Sequence, residues 1–310
     1  MKYKMVKDKI VILGASGFIG MHLCKKLVDK NIKILALIRN KNSKEARELL
    51  KMDAQVLETG DLFEKKMLSK DLTRVKYLIN LAALAHLNSK SLKKKLFHSN
   101  NIENNIIRNF SNKNLKILHI SSAKVSDTIE NNLTDYAIVK KNGESIIRKY
   151  YKNHIILRPP LVYGPNVKAN FLILMKAVYN NIPLPFKNFS EKRSYMYIEN
   201  LTDAILLILK KNHFIGKTYE ISDNCMITNE KLVHFMANAL GKKPKLFYLN
   251  PKLINLMLII LGKRELFNKI IKEFIVTNKE FLADTGWKPP YQYSEGIKKT
   301  CLWYKRTFRM

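Results

Sequence analysis

Apolar residues run along the first half of the chain in short blocks. Each block is followed by a longer segment of helical period. The blocks are "KIVILG" (9–14), "IKILALI" (32–38), "AQVLE" (54–58), "KYLINLAA" (76–83), "KILHISS" (116–122) and "HIILR" (154–158). They are nearly continuous in apolar residues, with little alternation, which predicts strands covered on both faces. Between them lie segments such as "FIGMHLCKKLVDK" and "FHSNNIENNIIRNF", long enough for crossover helices. Strands alternating with helices predict an α/β fold, a Rossmann-type doubly wound parallel sheet. After Arg158 the pattern changes. Prolines gather at Pro159, Pro160 and Pro165, and helical periods dominate from about residue 228.

The first strand runs into "GASGFIG", which carries Gly14, Gly17 and Gly20. A glycine string alone is weak evidence. Here it follows a strand and opens a helix, the context that dinucleotide binding requires. Gly14 suits the tight turn, Gly17 the approach of a pyrophosphate, and Gly20 close packing of helix on sheet. The helix start, with Ser16, Phe18 and Ile19, supplies N–H groups and a partial positive charge for an anion. Arg39 stands 19 positions after Gly20, where an acidic residue would bind the ribose hydroxyls of NAD. A guanidinium there suits a 2′-phosphate or stacks on adenine, so the expected cofactor is NAD or NADP, with NADP slightly favoured. Asp61 and Leu62, after the third strand, are expected at the adenine, with an N-cap as the alternative role for Asp61. We read residues 1–165, with 193–217 returning, as the dinucleotide-binding domain. Residues 166–192 and 218–310 form a smaller, mostly helical substrate-binding region.

Composition narrows the class further. The 310 residues carry 56 basic and 25 acidic side chains, a net charge of +31. The basic residues are spread along the chain without aromatic interleaving, as general overuse of lysine gives, so nucleic acid is not an expected partner; steering of anionic ligands is the alternative reading of the charge. Cys24, Cys225 and Cys301 lack metal-ligand spacing, and no metal is expected. The N-terminal stretch does not read as a signal peptide, and no apolar run is long enough to cross a bilayer. A cytoplasmic, soluble protein is the expectation. The apolar stretch from Leu253, with basic flanks, reads first as packing of the substrate region, with membrane-surface contact as the alternative.

The spacing Tyr-x-x-x-Lys occurs three times, at Tyr3/Lys7, Tyr136/Lys140 and Tyr248/Lys252. Tyr3/Lys7 precedes the first strand, and Pro251 interrupts Tyr248/Lys252. Tyr136/Lys140 follows the fifth strand and starts a helical segment, so both side chains share one face near the carboxyl ends of the strands. A phenol has a pKa of about 10 and is a poor proton shuttle at neutral pH. A neighbouring ammonium and an oxidised nicotinamide favour the phenolate and make it a better acid or base. Ser122, at the end of the fifth strand, is placed to hold the substrate oxygen beside Tyr136.

These residues and the segments around them resemble the extended short-chain dehydrogenase/reductases, of the NAD-dependent epimerase/dehydratase kind that acts on nucleotide sugars. The matching segments stand in family order: "VILGASGFIG", "GDL" (60–62), "LINLAALAH" (79–87), "ISSAKV" (120–125), "YAIVK" (136–140), "LRPPLVYGPN" (157–166), "RSYMYIENLTDAI" (193–205) and "LADTGWKPP" (282–290). The resemblance implies that Tyr136, Lys140 and Ser122 are catalytic. It puts Ala82 and Ala83 beside the cofactor, Pro159 against the nicotinamide, and Asn170 and Arg193 on the diphosphate of a sugar nucleotide. It also implies a homodimer built through the helix that carries the Tyr. Ala123 and Lys124 stand where family dehydratases carry an Asp-Glu pair, so 4,6-dehydration is not expected. Tyr136 comes only 14 positions after Ser122, a shorter loop than relatives have. Leu161 replaces an Asn that faces substrate in many 4-epimerases. The expected reaction is hydride transfer at C4 of a UDP-hexose or UDP-N-acetylhexosamine, with a slight preference for 4-keto reduction in polysaccharide precursor synthesis. The alternatives are a 4-epimerase with tightly held NAD and, in another class, a non-catalytic dinucleotide sensor.

Overall fold

The computed structural model describes residues 8–61, 72, 74–82, 101–126, 134–260 and 272–308. The chain divides into two compact units. Unit 1 comprises residues 1–159, 201–221 and 280–287; unit 2 comprises 160–200, 222–279 and 288–310.

Unit 1 is built on a seven-stranded sheet of order β3-β2-β1-β4-β5-β6-β9. The strands are β1 (Ile10–Leu13), β2 (Ile34–Ile38), β3 (Gln55–Glu58), β4 (Tyr77–Asn80), β5 (Lys116–Ile120), β6 (His154–Arg158) and β9 (Lys217–Glu220). Every neighbouring pair in it is parallel. All six apolar blocks therefore became strands, and β9 adds an outer edge. The helices described in this unit include α1 (Phe18–Val28), α2 (Lys44–Lys51), α3 (Asn101–Asn109) and α4 (Asp135–Tyr150). Central strands are dry: β1 is buried at all four positions, and β5 at four of five. The edge strand β3 instead exposes Gln55 and Glu58. That difference is why continuous apolar runs mark the middle of a parallel sheet and break down at its rim.

The strand order reverses beside β1: the chain goes outward through β2 and β3, then restarts on the other side at β4. Such a switch point opens a crevice at the carboxyl ends of the strands. The ends of β1, β4 and β5 are adjacent there, so the glycine turn after Leu13 and the segment after Ile120 lie about two strand spacings apart, roughly 10 Å.

Unit 2 holds a three-stranded sheet of order β10-β8-β7. It comprises β7 (Leu161–Tyr163), β8 (Lys192–Tyr197) and β10 (Met226–Thr228), with helices α5 (Ala169–Tyr179), α7 (Asn229–Leu240), α8 (Pro251–Ile260) and α10 (Tyr293–Phe308). Helix α6 (Ile198–Lys211) follows β8 and from Leu201 belongs to unit 1, as does α9 (Lys279–Thr285) from Glu280. The substrate-binding region was expected to be mostly helical; the structure adds this small sheet. Two of its strands have only three residues, and the sequence pattern alone does not separate them from loop. Tyr163, at the end of β7, anchors their core. Its ring lies 5.1 Å from Phe171, 5.4 Å from Tyr197 and 5.7 Å from Tyr293.

Candidate active site

The glycine turn comes first. Gly14 has φ +79, and a Cβ on it would stand 2.9 Å from the Ala82 nitrogen. A Cβ on Gly20 would stand 2.4 Å from the Gly14 carbonyl oxygen and 2.5 Å from that of Ala15. No side chain fits at either point, because the obstacles are backbone. The turn is closed by the Gly17 N–H donating to the Gly14 oxygen at 3.0 Å. Gly17 is the N-cap of α1, makes no side-chain cap, and no acidic residue occupies the first turn. Helix-end N–H groups are thus left without a cap, beside an exposed glycine. The residues present fit the pyrophosphate of a dinucleotide. Ser16, Phe18 and Ile19 are half-buried around it.

Ala82 joins this turn through its neighbour Asn80. The Leu81 N–H donates to the Leu13 oxygen at 2.9 Å, and the Ala82 N–H to Asn80 Oδ1 at 3.1 Å. Asn80 Nδ2 lies 2.9 Å from His119 Nδ1, and both residues are fully buried. This pair ties the ends of β4 and β5. Burial first, then the charges of Lys140 and Arg148, push the His119 imidazole well below its ordinary pKa. Arg39 is exposed directly after β2, with no ion-pair partner among the described residues. Asp61 is half-buried after the Thr59–Gly60 turn, which Thr59 fixes by donating its N–H to the Ile38 oxygen at 2.8 Å. Leu62 and Ala83 lie outside the described residues.

Ser122, Tyr136 and Lys140 converge at the end of β5. Thr134 caps α4 by accepting from the Ala137 N–H at 3.3 Å, which puts Tyr136 in the first helical turn. Lys140 follows one turn later on the same face and is 6% exposed. Its ammonium donates to the Ile120 carbonyl at 2.9 Å, against the end of the strand. Burial raises the Tyr136 phenol above its ordinary pKa, and the Ser122 hydroxyl beside it pulls the other way. The sequence expectation was a phenolate favoured by Lys140 together with an oxidised nicotinamide; in the chain by itself burial outweighs the pull of the hydroxyl. Pro159 is buried at the end of β6, where its carbonyl accepts from the Ala123 N–H at 2.9 Å. Ala123 and Lys124, in the short turn after Ser122, offer no acid-base pair.

Two buried carboxylates near Lys140 escaped the sequence reading. Glu103, on α3, lies against Gly143, whose Cβ would stand 2.8 Å from Glu103 Oε1. Burial lowers the Lys140 pKa, while Glu103 and then Glu144 favour its charged form. Burial raises Glu103 itself. Glu144 is fully buried one turn beyond Lys140. It accepts from Arg158 Nε at 2.8 Å and Arg158 Nη2 at 2.6 Å, and from Arg148 Nη2 at 2.7 Å. Burial alone would raise its carboxyl, but the two guanidiniums hold it below the ordinary value. The signal was in the spacing: positions 136, 140 and 144 share one helical stripe, and an acid on a buried stripe needs a partner.

Asn170 and Arg193 belong to unit 2. Asn170 is half-buried in the first turn of α5. Arg193, on β8, is 8% exposed, donates to the Lys272 carbonyl, and lies 5.7 Å over the Phe274 ring. Leu161 is exposed on β7. Unit 2 also buries Asp223, which accepts from the Tyr197 N–H and from Asn200 Nδ2, each at 2.8 Å. Burial pushes its carboxyl up to about 7 despite these bonds. No group of His, Cys, Asp and Glu able to hold a metal occurs among the described residues. No described helix is long and apolar enough to cross a membrane.

The site can be compared with known proteins. The model of the NAD dependent epimerase/dehydratase family matches residues 10–222. A UDP-glucose 4-epimerase of Vibrio cholerae is 28% identical, over 96% of this chain and 95% of its own. An Escherichia coli O157:H7 protein named N-acetyl-alpha-D-glucosaminyl-diphospho-ditrans,octacis-undecaprenol 4-epimerase is 22% identical, over 95% of each chain. Among solved structures, a UDP-glucuronic acid 4-epimerase from Bacillus cereus in complex with NAD superposes with a TM-score of 0.74 at 18% identity, covering 97% of this chain and 98% of its own.

Proposed function

The chain belongs to the NAD dependent epimerase/dehydratase family, and on that premise we propose that it oxidises and reduces C4 of a UDP-linked hexose or N-acetylhexosamine. The observation that carries this reading is the meeting of Ser122, Tyr136 and Lys140 at the carboxyl end of β5, on the same sheet edge as the uncapped glycine turn. The cofactor is of the NAD type. Gly14, Gly17, Gly20 and the α1 N-terminus would hold its pyrophosphate, with Ala82 alongside and Pro159 at the ring. When bound, its nicotinamide supplies the hydride acceptor and donor.

The chain's own residues handle the proton. Tyr136 takes the proton of the C4 hydroxyl as that carbon is oxidised, and returns it as the carbon is reduced. Ser122 holds the sugar oxygen within reach of the phenol. Lys140, anchored on Ile120 and balanced by Glu103 and Glu144, supplies the positive charge that makes a transient phenolate affordable. Arg193 and Asn170 are assigned to the diphosphate of the substrate, where a guanidinium suits two anionic oxygens.

Epimerisation at C4 is our first reading, supported by the names of the Vibrio and Bacillus relatives. Reduction of a 4-keto sugar is the second, favoured by Arg39: an exposed guanidinium after β2 suits the 2′-phosphate of a cofactor exchanged each turnover. Purified protein incubated with UDP-glucose, UDP-N-acetylglucosamine and UDP-4-keto sugars separates the two. Conversion of a UDP-hexose to its C4 epimer without added cofactor establishes the epimerase. Turnover only of keto sugars, with consumption of reduced cofactor, establishes the reductase. No turnover of any C4 substrate with either cofactor refutes both.

A further inference from the structure

We propose that the outward face of α8 is a docking surface for an anionic lipid bilayer. Leu253, Leu256, Ile259 and Ile260 are 52%, 54%, 45% and 75% exposed. At 100° per residue they fall within one third of the helix circumference. Ile254, off that stripe, is buried at 8% and anchors the helix to its unit. Just upstream, Phe247 and Tyr248 are also exposed, at 43% and 57%. They sit on a fixed segment: the Phe247 N–H donates to the Leu184 oxygen at 3.1 Å, and the Lys187 N–H to the Phe247 oxygen at 3.2 Å. Isolated surface aliphatics are ordinary, but a row of four behind two aromatics marks an interaction site.

Charge identifies the occupant. Residues 242–260, "KKPKLFYLNPKLINLMLII", contain four lysines and no acidic residue. Lys243, Lys245 and Lys252 are exposed. An apolar helical face with lysines beside it and aromatics at its edge is the composition of a helix that lies in the plane of a membrane surface. A second copy of this chain would bring the same lysines to the contact, on a molecule of charge +31, and the two rims would repel. Anionic headgroups attract them. Helix α8 spans ten residues, about 15 Å, so it lies on the bilayer and does not cross it. This contact is independent of the chemistry assigned to unit 1.

The test is co-sedimentation of the full chain with vesicles, one set of equal parts phosphatidylglycerol and phosphatidylcholine, the other of phosphatidylcholine alone. The charge-neutral double variant Leu256→Ser/Ile260→Ser removes the apolar row and leaves the net charge unchanged. We expect the wild-type chain to partition onto the anionic vesicles and at least tenfold less onto the neutral ones. The Ser/Ser variant should lose at least tenfold of the anionic partition. A second variant, Lys243→Gln/Lys245→Gln, alters only exposed side chains and should weaken partition onto anionic vesicles by several-fold. Circular dichroism melts and C4 turnover verify that each variant is folded. Failure of the wild type to bind at low salt overturns the proposal. So does equal binding by the Ser/Ser variant, which would reduce the effect to general charge attraction. A wild-type dimer that the Ser/Ser variant turns to monomer, with vesicle binding unchanged, would also overturn it and assign the face to a second copy.

Discussion

Replacing Glu144 by Gln removes a charge that three guanidinium contacts depend on. The Arg148 side chain is 38% exposed, so water compensates most of its loss. Arg158 differs: its side chain is 19% exposed and gives Glu144 two bonds, at 2.8 and 2.6 Å. Its Nη1 donates to Ser126 Oγ at 2.9 Å, a neutral acceptor. A glutamine keeps one acceptor and turns an NH₂ toward the guanidinium N–H groups, so one bond is lost and the positive charge stays buried. Removing one partner of a buried pair costs about 3–5 kcal/mol, and we expect about 3–4 kcal/mol here because Arg158 is not wholly buried. Urea melts followed by far-ultraviolet circular dichroism measure it from the midpoint and slope. At roughly 2 °C per kcal/mol for a chain of this size, the melting temperature should fall by about 6–8 °C. Because Glu144 is one turn past Lys140, kcat should fall as well. The volume-matched pair Glu144→Leu/Arg158→Met should recover most of the stability but not the activity, since an apolar pair needs no partner. A loss below about 1 kcal/mol for Glu144→Gln would refute the reasoning, because the network would then carry no buried charge.

Three further outcomes follow from the site. Glu103→Gln removes the carboxylate that most favours the Lys140 ammonium, so the Lys140 pKa should fall further and the matching limb of the kcat/KM profile should move to lower pH; an unmoved limb would remove Glu103 from its positioning role. Asp223 has a folded pKa of about 7, above its unfolded value of 3.8. Its contribution to stability is therefore complete below 3.8 and is lost as pH rises from there through about 7, so Asp223→Asn should flatten the fall in melting temperature across that acid window. Gly20→Ala places a methyl 2.4 Å from the Gly14 oxygen, so α1 must shift off the turn. Titration with NAD should show at least tenfold weaker binding, and an unchanged Kd would mean the glycine cradle does not hold the pyrophosphate.

The fold was legible because central parallel strands leave little choice of residue. "KIVILG" and "KILHISS" are apolar because helices cover both faces of the sheet there, and the block boundaries fell within a few residues of β1 and β5. The glycine turn was legible for a related reason: at Gly14 and Gly20 the obstacle is backbone, so chemistry leaves a fixed mark in the sequence. Tyr136 and Lys140 needed their neighbours, since the same spacing recurs twice without meaning. What stayed hidden depended on contacts distant in sequence. Nothing near Glu103 says that it will meet Gly143, forty positions later, and nothing near Asn80 names His119. The strands β7 and β10 were missed because they are three residues each, and β8 because its partner β10 lies beyond an intervening helix and β9. The upward push of burial on the Tyr136 phenol was hidden too, since a sequence does not give burial residue by residue.

Transfer of label from sugar C4 reaches the main claim most directly. A UDP-hexose carrying deuterium at C4 is incubated with protein and cofactor, and the nicotinamide is recovered for mass spectrometry. We expect deuterium on the reduced nicotinamide, or returned to C4 of the epimer, with the wild-type chain, and a loss of at least a hundredfold in that rate for a folded Tyr136→Phe variant. Undiminished transfer in Tyr136→Phe would show that the phenol moves no proton in this reaction and would contradict the account.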